Sequence, residues 1–458
     1  MAAKLLFVGD IHLGRRPRRL PVGLEDLTGV GIGELTPAAA WRSSVRLAVE
    51  LEVDAVVLAG DVVDDVENRF EAASQLQRGV EELSRAGIGV FAVAGNHDVE
   101  ALPRVADQLP EFHLLGRRGD WESVRIEGRS GTPVDLWGWS FPRERVETSP
   151  LERMPLEREP SVACLGVLHC DLDAGRSPYA PVARRDLEAV QADAWLLGHI
   201  HKPSALAGAR PIGYLGSLVG LDPGEPGPHG PWLVEVDGPG RVSATQVPLS
   251  PIRWESLAVE LGEQGAADEH DIGDAWAAAI IRAMRDLHER TASERERPGL
   301  RVVGCRVRVS GRGRHHAHVH RLLLDESAWP QRDLDGVHYF VEKVVEQAVP
   351  DLDLARLAQG ADPPGLLAQR LLELQADGEP ARALCARVAQ HLESALARPR
   401  WQQLREPMPS EHEISERIAR VATRLLDELL EQPAAAGPSE GAEREPRAGQ
   451  SLTDQGSA

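Results

Sequence analysis

LLGHIHKP, residues 196–203, closes a short apolar run with two imidazoles set two residues apart. If the run is a buried strand, alternation sends His199 and His201 to the same side, where they can grip one object together. The construction recurs upstream. KLLFVG (4–9) runs into Asp10 and His12, DAVVLAG (54–60) into Asp61, GVFAVAG (89–95) into Asn96 and His97, and VACLGVLH (162–169) ends on His169. Continuous apolar runs separated by helical segments are strands buried on both faces of a layered sheet. The fold class expected is therefore layered α/β. In such sheets ligands gather at the carboxyl ends of strands, so five separate segments can meet at one place.

A single one of these motifs would mean little. An Asp after an apolar strand often caps a helix, a lone Asp-x-His is more often a surface turn, GNHD suits a tight turn, and one histidine is usually just partly buried. Five of them in order, each in the same strand-end context, point instead to metal ligands. Carboxylate, imidazole and amide oxygen without thiolate suit Mn²⁺, Fe²⁺ or Zn²⁺. Seven candidates, Asp10, His12, Asp61, Asn96, His169, His199 and His201, are too many for one ion. Two ions about 3.5–4 Å apart could polarise a phosphoryl group and turn bound water into hydroxide.

Composition narrows the classes. The chain has 458 residues, enough for two or three domains. Cys164, Cys170, Cys305 and Cys385 form no close pair, so neither a disulfide framework nor a thiolate zinc site is expected and a reducing cytoplasm fits. No run approaches the ~20 apolar residues of a membrane span, and the apolar start MAAKLLFVGD is too short for a signal peptide. A soluble, intracellular protein is expected. The net charge of -20 argues against a general nucleic-acid-coating protein. Residues 1–250 hold 25 Lys plus Arg against 36 Asp plus Glu, so the motif-bearing half is acidic too. Two basic clusters remain: GRRPRR (14–19), which follows His12 directly and is either a substrate contact or a solvated loop, and 301–321, with six arginines, four histidines and no acid.

Thr36-Pro37 is a helix start and a second helix is expected near 69–86. WLVEVDG and RVSATQVPL read as a hairpin closing the first domain. Beyond it, 257–285 reads as charged and partly helical, and 300–311 as a strand. The division expected is a catalytic domain over 1–250, a small α+β capping, DNA-binding domain over 251–345, a helical partner-binding region over 346–432 and a disordered tail over 433–458. Ile414, Ile418, Val421, Leu425 and Leu429 form a helical stripe with Glu416, Arg420 and Asp427 opposite, and the stripe is buried either within the chain or against another protein.

FVGDIHLG, AGDVVD, AGNHD and GHIHKP resemble the calcineurin-like metallophosphoesterases, and among them the SbcD-type DNA repair exonucleases. The likeness is strong over about 1–250 and beyond that rests on layout. It implies a β-sandwich flanked by helices, followed by a capping domain and a helical region. It implies that Asp10, His12, Asp61 and His201 hold one ion, that Asp61, Asn96, His169 and His199 hold the other, and that both are Mn²⁺, with Asp61 as the bridge. His97 would be no ligand; it would stabilise the transition state and protonate the leaving oxygen. Asp64 and Asp98 would orient the histidines. The implied substrate is DNA, the implied partner an SbcC-like coiled-coil ATPase, and a homodimer is the family's habit. Phosphoprotein phosphatases of the group read GDxxDRG and GNHE, which this chain does not. Stand-alone phosphodiesterases acting on cyclic nucleotides or other phosphoesters usually stop soon after GHxH, whereas this chain runs on past residue 450. A non-catalytic scaffold would be expected to have lost ligands, and here the set is complete.

Overall fold

The computed structural model describes residues 2–64, 69–129, 131–155, 157–261, 269–292, 299–313, 323–346, 349–350, 352–376, 378–396 and 408–431. The tail expected over 433–458 and the 314–321 part of the second basic cluster lie outside them. The described residues fall into two compact units, one drawn from 1–311 and 321–347, the other from 312–320 and 348–458.

The first unit is built on two facing sheets. One has the order β11-β10-β1-β2-β3-β4, formed by β1 (Ala3–Val8), β2 (Ala55–Ala59), β3 (Gly89–Val93), β4 (Phe112–Leu114), β10 (Trp232–Gly238) and β11 (Arg241–Gln246). The other runs β5-β6-β7-β8-β9, formed by β5 (Trp121–Glu127), β6 (Pro133–Trp139), β7 (Ala163–His169), β8 (Ala194–Gly198) and β9 (Ile212–Tyr214). Strands β1 to β4 are parallel to one another, as are β6 to β9, and β10-β11 is the expected hairpin. Alternation assigns the layers. Leu5, Phe7, Val57 and Val93 pack with Leu136, Leu165, Val167 and Leu196 between the sheets. Leu6, Val8, Leu58 and Ala92 point the other way, onto Trp41, Val45, Leu76 and Val80. Those four lie on helices α1 (Pro37–Glu50) and α2 (Arg69–Arg85), where the sequence places helices. Thr36 precedes the first helix, but its hydroxyl donates to the Gly33 carbonyl and does not cap it.

A third sheet of the same unit has the order β12-β13-β15-β14: β12 (Ile252–Leu261), β13 (Val302–Gly313), β14 (Gln331–Leu334) and β15 (Val337–Glu346). The reading of 257–285 as partly helical holds for α3, which covers Glu269–Arg290, while 257–261 belong to β12. Ile252 and Trp254 are buried on one face of β12, while Leu257 and Val259 are buried at the opposite parity, so the strand lacks the single-faced alternation that marks strands in a sequence. Ile252, Trp254, Val302 and Phe340 pack with Leu24 and Leu35, which joins this sheet to the loop that follows the first motif.

The second unit includes α4 (Pro363–Gln375), α5 (Glu379–Leu396) and α6 (Glu411–Glu431). The expected stripe is only half buried. Ile414 and Ile418 pack against Leu374 and Cys385, but the buried face then turns through Ala419 and Ala422 to Leu426, against Ala368 and Leu371. Val421 and Leu425 are 60% and 48% exposed, and Asp427, expected outside, is buried. Small residues let α6 approach α4 closely, which carries the contact around from the larger side chains. Among the described residues no helix is long and apolar enough to cross a membrane.

Candidate metal centre

The first two motif loops stay paired after their strands end. The His12 amide donates to the Asp61 carbonyl (2.9 Å), the Leu13 amide to that of Val62 (2.9 Å) and the Asp64 amide to that of Leu13 (3.1 Å). This zipper holds Asp10 and His12 beside Asp61. It also forces Asp10 (φ 36°), His12 (φ 51°) and Asp61 (φ 49°) into the left-handed region, where non-glycine residues are strained. The second sheet brings β7 and β8 against the same edge. Contact there is so close that a Cβ on Gly198 would stand 2.0 Å from the Ala59 carbonyl oxygen.

All seven candidate ligands and His97 come together at this edge. Asp10, His12, Asp61, Asn96 and His169 are buried, His199 and His201 are half-buried, and His97 is exposed. Two groups have ligand atoms within 4.8 Å of one another: Asp10 with His12 and His201, and Asp10 with Asp61 and His169. Asp61 Oδ2 lies 3.8 Å from His12 Nε2 and 3.5 Å from His169 Nε2, so one carboxylate oxygen faces an imidazole of each group. Asn96 Oδ1 is 3.1 Å from His169 Nε2. His199 lies edge-on to His169, their ring centres 5.1 Å apart. The His97 amide donates to Asp61 Oδ1 (3.0 Å), and its ring centre is 5.7 Å from that of His12.

Several contacts leave lone pairs facing inward. His169 Nδ1 is satisfied by the Ala59 carbonyl (3.0 Å) and His201 Nδ1 by Glu225 Oε1 (2.6 Å), which directs both Nε2 atoms into the cluster. His12 Nε2 and His201 Nε2 then face each other at 2.9 Å, while Asp10 Oδ2 and His12 Nδ1 are buried with no hydrogen-bond partner. A buried set of carboxylate, amide-oxygen and imidazole atoms in which Asp10 Oδ2 and His12 Nδ1 have no partner suits a divalent cation. Burial, the largest influence on each, pushes the Asp10 carboxyl up and the His12 and His199 imidazoles down. At Asp61 burial is outweighed by His169, His12 and His97, which hold that carboxyl low; at His201 it is outweighed by Glu225 and Asp10. His12 and His199 thus stay neutral, the form that binds metal.

Of the two supporting groups expected, Asp64 stands beside a histidine and Asp98 does not. Asp98 orients backbone, not a histidine: Oδ2 accepts from the Val62 amide and Oδ1 from the Gly95 amide, both at 2.7 Å. Asp64 Oδ2 lies 3.8 Å from His12 Nδ1 and is held by Arg15. Glu225 and Asp171, whose Oδ1 is 3.4 Å from His199 Nε2, were not anticipated. Asp171 follows His169 by two residues and carried a local signal, whereas Glu225 lies in a loop 24 residues past His201 and carried none.

Residues 3–203 match the family model described as calcineurin-like phosphoesterase. The chain is 30% identical over 230 residues to the uncharacterized metallophosphoesterase YhaO of Bacillus subtilis, covering 49% of this chain and 55% of that protein. It is 28% identical over 288 residues to the DNA double-strand break repair protein Mre11 of Aeropyrum pernix, covering 57% of this chain and 65% of that one. It therefore spans less than two thirds of either relative. Among solved structures, a dimetal phosphatase from Danio rerio aligns with 53% of this chain and 98% of its own at a TM-score of 0.32 and 13% identity.

Asp98→Ala strips two buried amides of their acceptor. The expected cost is about 2 kcal/mol or more, from ~1–3 for each unsatisfied group, read as a lower denaturation midpoint. An unchanged midpoint would show that the carboxylate does not hold these loops.

Proposed function

We propose, from the phosphoesterase family match of residues 3–203, that this chain is a two-metal DNA phosphodiesterase of repair, an exonuclease with endonuclease activity an open alternative. The observation that carries the two-metal reading is Asp61 Oδ2 standing between His12 and His169. In this reading Asp10, His12, Asp61 and His201 hold one Mn²⁺ and Asp61, Asn96, His169 and His199 the other. Such ions when bound polarise a phosphoryl oxygen and lower the pKa of water. The chain's own residues supply the rest. Glu225 and Asp171 fix the rings of His201 and His199, and His97, exposed beside the cluster, donates the proton to the leaving oxygen. DNA is favoured over a small phosphoester by the archaeal relative named for double-strand break repair, and by the third sheet and helices that continue past the domain. The direct test is digestion of end-labelled DNA with Mn²⁺, beside a cyclic nucleotide and a phosphoserine peptide. Cleavage of the cyclic nucleotide alone would turn the reading to a stand-alone phosphodiesterase, and no turnover of any of the three would favour a scaffold.

Asp61→Asn should abolish activity and the binding of both ions together, as measured by metal analysis of the purified variant; two retained ions with full turnover would remove Asp61 from the bridge. His97→Ala should keep both ions and lose ~10²–10⁴ in rate, the usual contribution of general acid catalysis. Metal loss in that variant would make His97 a ligand.

The helical region is proposed to dock on a coiled-coil ATPase, as the resemblance implies. The exposed Val421 and Leu425 on α6 are the surface it would use. Val421→Asp with Leu425→Asp should lose capture of a co-expressed ATPase, and undiminished capture would defeat this docking surface.

A further inference from the structure

The arginines of GRRPRR do not share one fate. Arg15 pairs with Asp64, and Arg19 lies 3.7 Å from Glu342 on β15, so these two are tied into the fold. Arg16 is exposed and has no ion-pair partner among the described residues. With Arg15, it lines a cavity of about 270 Å³ that is also lined by Arg42 of α1, exposed and likewise without such a partner. Thr36, Gly14 and Glu71 complete the lining relevant to charge. Three guanidinium groups meet there against one carboxylate, in a chain of net charge -20. Glu71 is itself engaged, accepting from Gln75 Nε2 at 3.2 Å. The start of α1 at the cavity adds a partial positive charge to the same place.

The cavity is coupled to the metal centre. Gly14, at φ 101°, turns the chain out of the first motif loop, and the Arg15 amide donates back to the His12 carbonyl at 3.1 Å. Arg15 both lines the cavity and holds Asp64, which faces His12 Nδ1 at 3.8 Å. Gly14 lines the cavity two residues after the candidate ligand His12, so a polyanion with one phosphate at the metals is the class of ligand that could reach it with another.

We propose that this arginine-lined cavity binds a non-scissile phosphate of a polynucleotide substrate, with Arg16 and Arg42 as its two contacts. This rests on the nuclease reading and names how an acidic chain would hold a nucleic-acid backbone next to its metals. Two planar guanidinium forks suit phosphate oxygens better than ammonium groups do, yet a lysine pair keeps the charge.

The test is fluorescence anisotropy of a short fluorescein-labelled single-stranded oligonucleotide in EDTA, over a series of salt concentrations. Wild type is compared with Arg16→Ala/Arg42→Ala and Arg16→Lys/Arg42→Lys. Each phosphate neutralised on a single strand contributes ~0.7 to the slope of log affinity against log salt, so the alanine pair, which frees one phosphate, should flatten the slope by about 0.7 and the lysine pair should restore it. An unchanged slope in the alanine pair would overturn the proposal. So would a flattened slope that lysine fails to restore together with a lowered thermal midpoint, because the effect would then be structural. Wild type that binds the probe through these arginines but does not cut it with Mn²⁺ would sink the nuclease reading and leave the phosphate site standing. Cleavage with no slope change would sink the phosphate site alone.

Discussion

Two carboxylates, Asp10 and Asp61, lie side by side at 1% and 2% exposure where the two sheets of the sandwich meet. Removing such charges from water costs several kcal/mol each even after relaxation, and their mutual repulsion adds to it. Backbone amides offset a part, His199 donating to Asp10 Oδ1 at 2.8 Å and His97 to Asp61 Oδ1 at 3.0 Å. Of the two remaining oxygens, Asp61 Oδ2 faces the His12 and His169 imidazoles, and Asp10 Oδ2 is buried with no hydrogen-bond partner. A cluster of this kind is incomplete as protein alone, which is why a bound cation accounts for it better than a structural ion-pair network does.

The backbone bears a second cost at the same place. Asp10, His12, Asp61 and His199 (φ 104°) all sit in the left-handed region, at roughly 1–3 kcal/mol each. What holds them is over-determination by neighbours: the paired loops after β1 and β2, the amide bond from His199 to Asp10, and the contact that leaves no room for a Cβ on Gly198. Strain, buried charge and steric closeness coincide at this one edge of the sandwich.

The ligands were legible because each ends an apolar strand, and parallel strands present their carboxyl ends at a common edge. His169, unremarkable alone, gained its meaning from the four motifs around it. The groups that orient the ligands were not legible in the same way. Glu225 reaches His201 from a loop whose approach depends on how the chain returns through β9, and no local pattern records that. Asp98, in the same GNHD motif as His97, was identified as a supporting group but assigned the wrong partners, since nothing in the letters distinguishes a carboxylate that takes amides from one that takes an imidazole. The strand Ile252–Leu261 was hidden by burial that changes face midway, and the buried face of α6, though not the helix itself, by a contact made through Ala419 and Ala422, residues that hydrophobic patterning ranks low.

The family match ends at residue 203, but the structure that fixes His201 does not. Glu225, which holds His201 Nδ1, is itself held by the Leu221 amide at 2.8 Å. The adjacent Gly220 carbonyl accepts from Trp254 Nε1 at 2.9 Å, and Trp254 is buried on β12 against Phe340 and Leu35. A continuous run of contacts therefore leads from a candidate ligand into the third sheet. That sheet also meets the first motif loop, through Leu24, Leu35 and the Arg19–Glu342 pair. Segments on both sides of the metal cluster are braced by the same sheet, so the residues beyond the sandwich belong to the support of the site and are no mere appendage to a finished domain.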